Sequence, residues 1–234
     1  MGRFPNIAAS KQKTGAAKAK VYSMYAREIY QVAKSGGTEV DGNLALRRLV
    51  EKAREEQVPS DIIKRAIDKV NSGVDETYQT VRYELFGPAG STFIVECLTD
   101  NVNRSVSSLR AALNKTSVKM GGQGSVTFMY DHSAVIGVGG SSEDEILEKL
   151  VEAGIDVDDM EAEGETIVVY GEPTSLYEIK EALSSLNVVA SEIAWVPKEM
   201  VELNGDDLET AKKLITLLDD IDDVQNVYHN IKDI

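Results

Sequence analysis

Lys13, Lys20, Arg27 and Lys34 recur every seven residues, a spacing that a straight α-helix turns into one slowly drifting stripe, about 20° per heptad. Arg3, Lys11 and Lys18 extend the same basic segment, and these seven cations form the candidate nucleic-acid-binding set. Over residues 1–34 they face a single acidic residue, Glu28. Such a stripe can track phosphate oxygens and release their counterions. It can equally be a solvated face, although solubilising surfaces usually mix both signs. Arg47, Arg48, Arg54, Lys64 and Arg65 lie further on, where a helix–turn–helix would present them to a groove. Glu51, Glu55, Glu56 and Asp61 lie among them, so pairing within the helices explains these cations as well.

Catalytic and metal-binding patterns are missing. Gly137-Val138-Gly139-Gly140-Ser141-Ser142 opens like a dinucleotide fingerprint but has serine at the last glycine position, which leaves a turn as the reading. Asp156-Val157-Asp158-Asp159-Met160 starts like a calcium loop, yet methionine stands at a ligand position. Asp219-Asp220-Ile221-Asp222-Asp223 could attract a cation but reads better as a solvated helix end. His132 and His229 are the only histidines and Cys97 the only cysteine, too few for a zinc cluster. Cys97 sits in an apolar run and reads as a core residue. No G-x-S-x-G marks a nucleophile. The expectation is a non-enzymatic protein with no cofactor and no metal.

Three helices must position the basic stripe. Tyr22, Tyr25, Ile29 and Val32 mark a buried face over 16–34, and Ser35-Gly36-Gly37 stops that helix. Tyr30 could stack on a base but reads as core. A second helix fits 43–57, and Pro59 opens a third as its first helical residue, ending at Asn71-Ser72-Gly73. Residues 1–15 read as an irregular arm. Beyond Gly73 the pattern changes to strands at 81–86 and 92–98, a helix from Asp100 or Asn101 to about 114, and a strand at 125–130. A βαββαβ series follows: strand 134–138, helix 143–153, strands 157–161 and 166–170, helix 175–186, strand 189–196. That order suggests a ferredoxin-like unit. The tail adds a helix (207–218) and a strand (224–228) with no sheet of their own, while the 81–130 block has a sheet face without cover. Joining them gives the expected organisation: a basic helical domain (1–78), a discontinuous α+β domain (79–130 plus 204–234), and an acidic ferredoxin-like domain (131–203) inserted into it.

The charge follows the same division. Residues 1–70 carry 14 Lys/Arg against 8 Asp/Glu, residues 71–129 carry 5 of each, and residues 130–234 carry 6 against 26, giving −14 over 234 residues. A basic arm is thus joined to an acidic body, which solvent or a basic protein would accommodate. No apolar run approaches the roughly 20 residues that span a bilayer, and the N-terminus lacks the apolar stretch of a signal peptide. A cytoplasmic protein without a membrane partner is expected.

The chain resembles the YebC/PmpR family over essentially its whole length. The resemblance is carried by Met1-Gly2-Arg3 with Asn6-Ile7, Glu28-Ile29-Tyr30, Val58-Pro59, Arg65-Ala66-Ile67, Arg82-Tyr83-Glu84, Phe86-Gly87-Pro88, Asn101-Val102-Asn103-Arg104, Gly124-Ser125-Val126 and the closing Val227-Tyr228-His229-Asn230. It departs from many members at Phe4-Pro5, where they carry a basic residue and Trp. The resemblance implies an α+β fold: an N-terminal three-helix domain followed by two α+β domains, the last one inserted. It also implies a DNA-binding transcriptional regulator, or, as in other relatives, a ribosome-associated translation factor that contacts ribosomal RNA and eases elongation.

Overall fold

The computed structural model describes residues 15–73, 75–116, 118–232 and 234. Three helices come first: α1 (Gly15–Gly36), α2 (Leu44–Glu55) and α3 (Ser60–Asn71). Ile29 and Ala33 of α1 close on Leu46, Val50 and Ala53 of α2 and on Ile63 and Ala66 of α3. Asn43 ties the first two together. Its Oδ1 caps α2 by accepting from Leu46 N at 3.1 Å, while its Nδ2 donates to Val32 O and Gly37 O at 3.2 and 2.9 Å. A Cβ on Gly36 would come within 2.6 Å of that Nδ2, so only glycine lets the two helices meet here. Pro59 stands one position earlier than expected, as the N-cap of α3. Its carbonyl accepts from Ile62 N and Ile63 N.

Two four-stranded sheets follow. β1 (Gln79–Phe86), β2 (Thr92–Thr99), α4 (Val102–Leu113) and β3 (Lys119–Met120) precede a second unit made of β4 (Tyr130–Gly139), α5 (Glu143–Ala153), β5 (Asp159–Glu163), β6 (Thr166–Gly171), α6 (Leu176–Ala182) and β7 (Val188–Pro197). The chain then returns through α7 (Gly205–Asp219) to β8 (Val224–His229). The first sheet runs β3-β1-β2-β8, and the second runs β5-β6-β4-β7. The second is the antiparallel order of a ferredoxin-like unit, inserted between β3 and α7 of the first. The fold is therefore α+β, a three-helix domain followed by two α+β domains, the last inserted into the middle one.

The sheets lie face to face between two helical layers. Phe93, Val95 and Cys97 pack on α4 and α7 together with Leu109, Leu214 and Leu218. Ile136, Ile167 and Val169 pack on α5 and α6. Between the sheets, Ile94 and Tyr228 meet Val135, Val168, Tyr170 and Ala194. Central strands covered on both faces read as continuous apolar runs.

The strand expected over 125–130 is absent. Thr127–Met129 forms a single 3-10 turn, and Phe128 is 69% exposed. The buried Glu84 carboxylate accepts from the backbone N–H of Gly124, Val126 and Thr127 at 2.7, 2.5 and 2.9 Å. Those donors are thereby taken from any strand partner. The short β3 supplies the outer strand instead.

Candidate nucleic-acid interface

The first helix carries four of the seven candidate cations, Lys18, Lys20, Arg27 and Lys34, and the structure places them unequally. Arg3, Lys11 and Lys13 lie outside the described residues, as does most of the expected arm. Lys18 is exposed. Lys20, Arg27 and Lys34, the later members of the stripe, are seated on the chain's own oxygens. Lys20 Nζ donates to the backbone carbonyl of Asp219. Arg27 Nη1 donates to Asp222 O at 2.6 Å and lies 3.6 Å from Asp223 Oδ1. Lys34 Nζ is 2.5 Å from Asp75 Oδ1 and 2.7 Å from Glu76 O.

Asp219 ends α7, and Asp222 and Asp223 lie in the turn to β8. From sequence this acidic run reads as a solvated helix end. Asp223 corrects that reading: it is buried and accepts from Arg104 Nη2 (2.7 Å), Arg104 Nε (3.1 Å), Ser105 Oγ (2.8 Å) and Thr99 Oγ1 (3.2 Å). Burial alone would raise its pKa, but the Arg104, Ser105 and Thr99 hydrogen bonds outweigh it and hold the carboxyl below its usual range.

Tyr30 is buried, and its hydroxyl accepts from Glu76 N at 3.0 Å, so it belongs to the core rather than to a base-stacking platform. Arg65 pairs with Asp61 one helical turn away, and Arg47 bonds Asp41 O at 2.9 Å. Arg48 lies 3.7 Å from the Tyr177 ring centroid on α6, and Glu55 is 3.7 Å from Lys180. Arg48 and Glu55 thus fasten the helical domain to the inserted one.

Glu28 and Glu192 are also held at this junction. Burial raises the pKa of each, with Lys52 pulling the other way. A cleft of about 420 Å³ opens beneath α1, lined by Glu28, Gln31, Leu49, Thr80, Cys97 and Gln225. Cys97 is fully buried, and burial pushes its thiol up to about 12.

Sequence reasoning misses a second cluster between the sheets. His132 stacks on Trp195 (4.5 Å, 23°), the Arg82 guanidinium lies 4.2 Å from the Trp195 ring, and Trp195 Nε1 donates to Glu96 at 3.0 Å. The cross-strand pairs Arg82↔Glu96 and His132↔Trp195 bring these four together. No spacing in the sequence announces a contact between two sheets. The expected glycine turn also shifts: Gly137 and Gly139 lie inside β4, and Ser142 caps α5 by accepting from Glu145 N.

Among the described residues no three His, Cys, Asp or Glu side chains are grouped to hold a metal ion, and no helix is long and apolar enough to cross a membrane.

The described chain is a three-helix domain followed by two stacked α+β domains. Residues 2–73 match the TACO1/YebC protein N-terminal domain, and residues 78–231 match the TACO1/YebC second and third domain. The chain belongs to the TACO1/YebC family. It is 46% identical to a probable transcriptional regulatory protein of Alteromonas mediterranea, with 98% of each chain covered. It is 47% identical to one of Saccharophagus degradans, covering 98% of this chain and 99% of that one. Its fold matches the crystal structure of a conserved hypothetical protein from Aquifex aeolicus with a TM-score of 0.78, 33% identity and 96% of both chains covered.

Proposed function

We propose that this protein is a non-enzymatic regulator of gene expression that binds nucleic acid through its N-terminal segment. The observation that carries the reading is the charge split: seven cations against one carboxylate over residues 1–34, joined to a body with 26 Asp/Glu against 6 Lys/Arg over residues 130–234. A basic segment on an acidic molecule concentrates polyanion attraction in one place and repels it elsewhere. Arg3, Lys11, Lys13 and Lys18 are the first phosphate contacts in this reading, with Lys20, Arg27 and Lys34 continuing the stripe.

The relatives are named as probable transcriptional regulatory proteins, which favours DNA and a cytoplasmic location. A ribosome-associated translation factor is the second reading, favoured by the acidic body. A long duplex would repel that body, whereas basic ribosomal proteins beside ribosomal RNA would accept it. Crosslinking in cells, followed by sequencing of bound DNA and RNA, separates the two. Enrichment of discrete DNA sites supports the first reading and enrichment of ribosomal RNA replaces it with the second. Recovery of neither polymer above background contradicts both.

A further inference from the structure

Lys20 and Arg27 are offered to phosphate by the sequence and seated on the chain's own backbone oxygens by the fold. The carbonyls they meet, Asp219 and Asp222, belong to the end of α7 and the turn after it. A helix C-terminus leaves carbonyls without intrahelical partners and a partial negative charge on them. The carboxylates of Asp219, Asp220, Asp222 and Asp223 add formal charge to the same turn. Lys34, two heptads beyond Lys20, is paired in the same way with Asp75 and Glu76 in the linker to β1. The described members of the stripe, Lys20, Arg27 and Lys34, therefore each meet oxygen acceptors, as they would on a nucleic-acid backbone.

The attachments of the helical domain to the inserted one are polar too. The Glu55–Lys180 pair is 63% and 40% exposed at its side chains, and Arg48 rests on Tyr177. Exposed ion pairs contribute little each, and domains joined by polar interfaces move relative to one another.

We propose that the acidic turn at 219–223 is an intramolecular competitor for the basic stripe of α1. In the free protein it occupies Lys20 and Arg27, and nucleic acid must displace it to reach them, freeing α1 from the body. The inference rests on the reading that this segment binds nucleic acid. Binding then has a built-in threshold, since weak or isolated phosphates cannot outcompete a tethered acidic partner whose effective concentration is high.

The test uses the full chain and two readouts. Asp219→Asn, Asp220→Asn and Asp222→Asn are combined to strip formal charge from the turn, leaving Asp223 and its Arg104 network intact, and cooperative melting is checked first. Affinity for a short duplex DNA and a short single-stranded RNA is measured by fluorescence anisotropy. In parallel, the rate at which an aromatic disulfide reagent modifies Cys97 is followed. Cys97 is the only cysteine and lines the cleft beneath α1. The triple variant should bind about fivefold tighter or more, and saturating nucleic acid should accelerate Cys97 modification in the wild-type protein. Equal affinities with an unchanged Cys97 rate at saturation overturn the proposal.

Should neither polymer bind either protein, the nucleic-acid reading itself fails. The clasp is then judged on Arg27→Gln alone: faster Cys97 modification keeps it, and an unchanged rate removes it.

Discussion

Arg104 grips Asp223 through two parallel hydrogen bonds at 2.7 and 3.1 Å, and Ser105 and Thr99 fill the remaining acceptor sites. The carboxylate is buried while the Arg104 side chain is 49% exposed. Asp223→Ala should therefore cost about 2–3 kcal/mol, less than a pair buried on both sides, read as a lower midpoint in urea. Because the folded Asp223 pKa is depressed, its stabilisation is present above the ordinary carboxylate pKa and fades as pH falls further.

His229 behaves oppositely to an ion-paired histidine. Burial lowers its pKa from 6.5 to about 4; Nδ1 accepts from Ile231 N at 3.3 Å, and Phe93 packs edge-on at 6.1 Å. The unfolded chain takes up the proton first, so stability drops as pH falls from about 6.5 to about 4, by on the order of 3 kcal/mol. His229→Asn should flatten that part of the stability–pH curve. NMR of the two imidazoles checks it independently, with His229 remaining neutral well below pH 6. A normal titration near 6.5 would contradict it.

At the scale of elements, the sequence is legible wherever local chemistry sets the boundary. Asn43, Asn101 and Ser142 cap α2, α4 and α5, and each is a short polar side chain just before an apolar periodic run. The insertion is legible from a deficit, a sheet face without cover and a tail without a sheet. β8 indeed pairs with β2, and α7 packs on the helix-facing side of the first sheet. The 125–130 segment misleads because the group that decides it, Glu84, lies 40 to 43 residues away. The fate of Lys20 and Arg27 is hidden for the same reason, their partners being 199 and 195 residues distant. Deleting 206–234 removes α7 and β8 and should unfold the first sheet. Replacing 132–202 by a short linker should leave it cooperatively melting. Equal tolerance of both changes would count against an inserted unit.

The whole molecule is polarised, with a basic helical domain laid across the junction of two acidic-to-neutral sheets and held there by hydrogen bonds and exposed ion pairs, the latter weakened by salt. Nucleic-acid affinity should accordingly depend on the N-terminal segment and not on net charge. The most direct measurement is the slope of log affinity against log salt for duplex DNA, to which each phosphate neutralised by the protein adds about −0.9. Arg3, Lys11, Lys13 and Lys18 are changed together to Gln. They precede the residues that clasp the body, so the variant should melt as the wild-type protein does. The control changes Lys149, Lys198, Lys212 and Lys213, which lie in the acidic half; Lys180 is spared because it pairs with Glu55. The first variant should bind more weakly at low salt with a slope shallower by up to about 3–4 units, and the control should match the wild-type protein. An unchanged affinity and slope in the first variant, or an equal weakening in both, would contradict a local phosphate site in this segment.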